Sequence, residues 1–178
     1  MKKFTILLVI FALSSNIFQL KAQEKDSLTP NNKKYTGVIT KEDFEEGYTK
    51  SWFVKAYENY KPNEEILNQL KEPIQNYTIK AFMGTWCPDS RRETPKLFKL
   101  LDLAEFNRDN LTVYAMDRKK STEENYEKNL NVHHVPTIIF FNKDGKEVNR
   151  FVEFPQETFE EDILKIVSEE EYKNPYEE

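Results

Sequence analysis

Cysteine is the scarcest residue in this chain: its 178 residues hold one, Cys87. A single cysteine excludes any disulfide within the chain, so the fold must stand on its core alone. Positive charge is also short. Lys and Arg number 26 against 31 Asp and Glu, a net charge of −5. That balance argues against non-specific nucleic-acid binding, which needs clustered cations. Histidine is confined to the adjacent pair His133 and His134. Two neighbouring imidazoles and one distant thiol are a thin ligand set for a metal, and no third member of a hydrolase triad is identifiable. No metal and no cofactor are expected. Repeats and low-complexity tracts are absent. The longest apolar run near the start, residues 4–13, is interrupted only by Thr5 and is too short to span a bilayer.

What stands at the start reads as an export signal. Lys2 and Lys3 precede the apolar run, and a more polar stretch ends in Leu20-Lys21-Ala22-Gln23. This pattern predicts a signal peptide over residues 1–22, cleaved after Ala22. Left uncleaved, the segment would be the chain's one membrane attachment. No cysteine follows the run, which excludes lipid attachment of the bacterial lipoprotein kind. Removing Lys2, Lys3 and Lys21 takes the net charge from −5 to −8. The expected localisation is periplasmic or secreted, where disulfides persist and a lone thiol is unusual.

Residues 23–34 are polar, include Pro30, and read as a flexible leader. Residues 35–73 read as a helical extension. Thr40 and Asp43 cap a short helix carrying Phe44. Trp52, Phe53, Ala56, Tyr57 and Tyr60 recur at helical spacing, as a packing face or, alternatively, a partner groove. Asn63 then caps a helix with Ile66, Leu67 and Leu70, which Pro73 ends.

The centre of the chain is Gly84-Thr85-Trp86-Cys87-Pro88-Asp89-Ser90. An apolar strand pattern over 77–83 leads into it. A helical pattern over 88–106 follows, with Leu97, Leu100, Leu101 and Ala104 on one face and Pro95 inside. A cysteine at such a strand-to-helix turn meets unpaired N–H groups and the positive end of the helix dipole, which favour the nucleophilic thiolate. The polar neighbours Asp89, Ser90, Arg91 and Arg92 argue against burial. Asp89 would oppose the thiolate; Arg91 and Arg92 would favour it. The bland alternative is a buried cysteine acting as a small hydrophobe.

Further on, 111–116 reads as a strand. Ser121-Thr122-Glu123-Glu124 reads as a capping box opening a helix to residue 130. Residues 137–141 and 146–152 form a hairpin about Lys143-Asp144-Gly145. Residues 157–169 form an amphipathic helix with Phe159, Ile163, Ile166 and Val167 inward. The fold class is α/β, a mixed central sheet with helices on both faces.

Trp86-Cys87 at the end of a strand resembles the active site of the thioredoxin family. Pro95 matches the family's helix proline, and Val135-Pro136-Thr137 resembles its cis-proline loop, which faces the active cysteine. The resemblance implies a thioredoxin-like domain over 74–172, with a tail at 173–178. Two positions depart from the pattern: Ser90 stands for the second cysteine, and Ala81 for a buried acid. Glu153 stands where the family has glycine near the site, either beside the sulfur or as a solvated rim residue.

These residues imply monothiol chemistry. Cys87 attacks, Ser90 hydrogen-bonds to the thiolate, and an external thiol must resolve the mixed disulfide. Trp86, Pro88, Asp89, Arg91, Val135, Pro136, Thr137 and Glu153 line the site. The expected partners are protein disulfides or thiols and low-molecular-weight thiols, handled by a monomer. The alternative is a redox-inactive scaffold that binds peptides or partner proteins.

Overall fold

The computed structural model describes residues 35–177. The signal peptide and leader expected over 1–34 lie outside the described residues. A short strand β1 (Gly37–Val38) opens the described chain, followed by helices α1 (Lys41–Phe44), α2 (Lys50–Asn59) and α3 (Glu64–Leu70) and a 3-10 turn (Pro73–Asn76). Strand β2 (Thr78–Met83), helix α4 (Pro88–Leu103) and strand β3 (Leu111–Ala115) come next. Strands β4 (Thr137–Phe141) and β5 (Glu147–Val152) form a hairpin, and helix α5 (Phe159–Val167) completes the order.

The strands make one sheet in the order β1-β3-β2-β4-β5. β2 and β3 are parallel, as a helical crossover through α4 allows, and the other pairings are antiparallel. The edge strand β1 was not foreseen in the sequence. Its two residues pair Gly37 with Ala115 and Val38 with Tyr114.

Alternation along the strands divides the core into two clusters. Ile79, Ala81 and Met83 of β2, Val113 and Ala115 of β3, and Ile138 and Phe140 of β4 point to one face. There they meet Phe44, Phe53, Leu70, Leu97, Phe98, Phe159 and Ile163 from α1 to α5. Phe82, Tyr114 and Ile139 point to the other face, where they meet Met116, Val132, Val135 and Cys87. The aromatic residues of the extension pack: Phe53 stacks on Phe44 with centroids 4.9 Å apart and meets Phe98 edge-on at 5.6 Å.

Among the described residues the second face carries no helix of its own. The expected helix over 121–130 is a series of turns. The cap grammar is real but closes a different ring. Thr122 Oγ1 accepts from Tyr126 N at 2.9 Å, and Glu127 Oε2, not Glu124, accepts from both Thr122 Oγ1 and its N–H. Lys120, Asn125, Asn129 and Asn131 all take positive φ, between 51° and 71°, which no α-helix accommodates. Helix α4 also stops earlier than its apolar spacing suggests, because Glu105 turns left-handed at φ 53°. At the other end, α5 is shorter than the expected 157–169: its capping box begins at Thr158, with Glu161 reaching back.

Beyond α5 the chain doubles back. Glu169 takes φ 55°, and Tyr77 Oη donates to Val167 O at 3.0 Å. Tyr172 is buried, donating to Asp162 Oδ2 at 3.2 Å, while its carbonyl accepts from Asn149 Nδ2 at 3.1 Å. The tail therefore lies against β5.

Candidate active site around Cys87

Cys87 is the N-cap of α4, with extended backbone at φ −88° and ψ 126°. Pro88 fills the first helical position, where its missing N–H costs nothing. The Cys87 N–H donates to Gly84 O at 2.9 Å and its carbonyl accepts from Arg91 N at 3.0 Å, so the loop and the first turn are one hydrogen-bonded unit. The side chain points into the small cluster of the second face and is only 7% exposed. The burial contradicts the expectation drawn from the polar neighbours. Asp89 and Arg92 sit on the outer side of the first turn and pair with each other at 2.7 Å, while the sulfur turns inward.

Opposite the sulfur stands the loop before β4. The Cys87 thiol donates to Val135 O at 3.2 Å. The Val135–Pro136 peptide bond is cis. Thr137 Oγ1 donates to His134 O at 2.7 Å, and Glu153 N donates to Pro136 O at 2.8 Å, which ties the loop to the end of β5. The structure thus brings Cys87, Val135, Pro136, Thr137 and Glu153 to one end of the sheet.

Ser90 holds the loop that carries the sulfur. It is fully buried, and its Oγ accepts the Gly84 N–H at 3.0 Å, holding the loop closed from below. The two arginines are engaged elsewhere. Arg91 Nε donates to Thr85 O at 2.6 Å, and its guanidinium lies 5.8 Å from the Tyr48 ring centre and 5.7 Å from that of Trp52. Arg92 pairs with Asp89 and with the buried Glu93. Tyr48 Oη donates to the same Thr85 carbonyl at 3.0 Å, an anchor no local pattern announces. Trp86 packs on the cysteine's cluster with Nε1 donating to Met116 O at 2.9 Å, and Arg118 stands 5.6 Å from its ring centre.

Glu153 is neither free in solvent nor paired with the sulfur. It holds a left-handed backbone, φ 59°, that suits glycine. Its carboxylate meets His134 Nδ1 at 3.1 Å and accepts from Tyr176 Oη. The His134 and Tyr176 rings stack with centroids 3.8 Å apart and planes inclined by 18°. The hydrogen bond to Glu153, then burial and the charges of Glu153 and Asp89, push the Tyr176 phenol up to about 12. Tyr176 is the site residue the sequence hid, because it stands in an acidic, aperiodic tail. Among the described residues no cluster of three or more His, Cys, Asp or Glu could hold a metal, and no helix is long and apolar enough to cross a membrane.

Comparison with known proteins places this geometry in context. A protein-family model described as Thioredoxin matches residues 38–167. A solved protein of unknown function from Pseudomonas aeruginosa is 18% identical, with TM-score 0.50, over 67% of this chain and 81% of its own. An HIV epitope-scaffold is 17% identical, with TM-score 0.50, over 68% of this chain and 83% of its own. Thioredoxin O2 from Arabidopsis thaliana, in its oxidized state, is 21% identical, with TM-score 0.36, over 59% of this chain and 80% of its own. No curated protein matches significantly.

Proposed function

The chain belongs to the thioredoxin family, and on that premise we propose that it is an exported monothiol member exchanging thiols and disulfides through Cys87. The carrying observation is the placement of the chain's one cysteine: N-cap of a 16-residue helix, its sulfur 3.2 Å from Val135 O in the facing loop. In the proposed cycle the Cys87 thiolate attacks one sulfur of a substrate disulfide. A mixed disulfide forms, and the other substrate sulfur leaves as a thiolate and takes up a proton. A second, external thiol then attacks the substrate sulfur of the adduct as its thiolate, forming a new disulfide with the substrate and expelling Cys87 as a thiolate. Ser90 cannot do this, because a hydroxyl is no nucleophile toward sulfur at neutral pH and its oxygen already holds Gly84 N–H. Protein disulfides or thiols and small thiols are the partners, and the segment 1–22 directs the chain out of the cytoplasm, where it acts as a monomer.

The test is mass spectrometry of the mature protein with a peptide disulfide. Wild type accumulates one adduct per chain, Cys87→Ser none, and added small thiol releases it. Ser90→Cys shortens the adduct's lifetime, at a stability cost of about 1 kcal/mol for the weakened Gly84 bond. Turnover by wild type without added thiol would overturn the single-thiol cycle. The 7% exposure of Cys87 favours one rival reading, a redox-inactive scaffold that binds peptides. That reading requires that no adduct form at all.

A further inference from the structure

Residues 174–177 lie beside the site, with Tyr176 against His134 and Glu153 at its rim. Tyr172 is buried against α5 and β5, which fixes where the tail leaves the body. Asn174 is also buried, and it folds residues 174–177 into a tight turn. Its N–H donates to Glu177 Oε2 at 2.9 Å, its Oδ1 accepts from Tyr176 N at 3.1 Å, and its carbonyl accepts from Glu177 N at 3.1 Å. The turn aims Tyr176 at the rim. One wall there is His134 and Glu153, which flank the loop that bonds the Cys87 sulfur.

Tyr176 thus touches this wall, by ring stacking on His134 and a hydrogen bond to Glu153. Both contacts are made by a side chain that remains 49% exposed. A residue holding two polar or aromatic partners while half in water is held, but lightly. One stack and one hydrogen bond at a wet rim are worth no more than a modest bias. Glu153 supports the same conclusion from the opposite side. A carboxylate on a left-handed backbone is an unfavourable choice where glycine would be relaxed, and its side chain is engaged by the tail's tyrosine and by His134.

We propose that segment 174–177 is an intramolecular strap over the Cys87 thiol, with Tyr176 seated in a cradle formed by His134 and Glu153, and that a partner reaches the sulfur by displacing it. The inference rests on Cys87 being the reactive group. The Cys87 sulfur is buried by its own cluster of Phe82, Tyr114, Met116, Val132, Val135 and Ile139, and the strap adds a cover at the rim beside it. The strap also sets the chemistry of a competent partner. An extended peptide with an aromatic ring and a hydroxyl near its disulfide replaces the contacts that it removes.

The test compares wild type, Tyr176→Phe and Tyr176→Ala as full mature chains. Alkylation of Cys87 by iodoacetamide and mixed-disulfide formation with a tyrosine-bearing peptide disulfide are measured in parallel. Alkylation should rise about fivefold to tenfold in Tyr176→Ala and less in Tyr176→Phe, which keeps the stack. His134→Ala removes the other ring of the stack and should give the same rise, so the test survives if one variant folds poorly. Equal alkylation in all folded forms overturns the strap and leaves the exchange reading untouched. Faster alkylation of Tyr176→Ala with no mixed disulfide in any form supports the strap and ends the exchange reading.

Discussion

Under the helices, the sheet meets Phe44, Phe53, Leu97 and Phe159, with Phe44 and Phe53 stacked ring on ring. Under segment 117–136 it meets Met116, Val132, Val135 and a thiol. The same alternation along β2, β3 and β4 feeds both faces, yet one is roofed by helices and the other by turns. The difference separates two tasks. Large rings locked between helices supply burial and hence stability. A face closed by turns buries less, and the cysteine lies on that face. Regions that open cheaply are where binding chemistry is found.

The strongest way to break this division is Phe53→Ala. Phe53 is fully buried between Phe44 and Phe98. Its truncation should cost ~3–5 kcal/mol in urea unfolding, with the rate of Cys87 alkylation in the folded protein unchanged. An altered alkylation rate would mean that the faces are not independent. Val132→Ala is the counterpart on the other face, where Val132 is 7% exposed. It should cost only ~1–2 kcal/mol, and it should speed alkylation of Cys87 by loosening the cover. A loss as large as that of Phe53→Ala would erase the contrast.

The smallest effect concerns pH. Asp102 on α4 joins the extension to the body: Lys41 Nζ donates at 2.9 Å, Tyr57 Oη at 2.6 Å, and Arg108 also pairs with it. Burial alone would raise this carboxyl, but the bonds from Tyr57, Arg108 and Lys41 outweigh it and hold it below the usual range. A carboxyl lowered in the folded state stabilises above its unfolded pKa, and that contribution is lost as pH falls through the folded value. Asp102→Asn should therefore be less stable than wild type at neutral pH, with the gap closing in thermal melts as the pH falls below the usual carboxylate range. A gap that persists in acid would assign the effect to packing.

Where one residue's chemistry and the local period agree, the sequence was legible. Residues 77–83 and 137–141 read as strands, 88–106 as a helix, and Cys87 as standing at the turn between the first strand and that helix. The α/β class came from them. Segment 121–130 misled because a capping box is a local rule, and Asn125 and Asn129 tolerate either helix or left-handed turns until packing decides. The bond from Gly84 N–H to Ser90 Oγ was not legible, because it depends on the closed turn that brings the two together. The bond from Cys87 to Val135 spans 48 residues and that from Tyr176 to Glu153 spans 23, distances at which no periodicity speaks.

Gly84 has a consequence for how this chain can vary. A Cβ placed there would stand 2.6 Å from the Trp86 ring, and the indole cannot yield, since Met116 O holds its nitrogen and Arg118 flanks its face. Positions 84 and 86 are therefore one choice written in two letters. While tryptophan keeps its seat, every side chain at 84 is barred. A descendant that gives up the indole is free at 84 as well, and one that acquires a side chain at 84 must already have lost the indole or lose it at the same step.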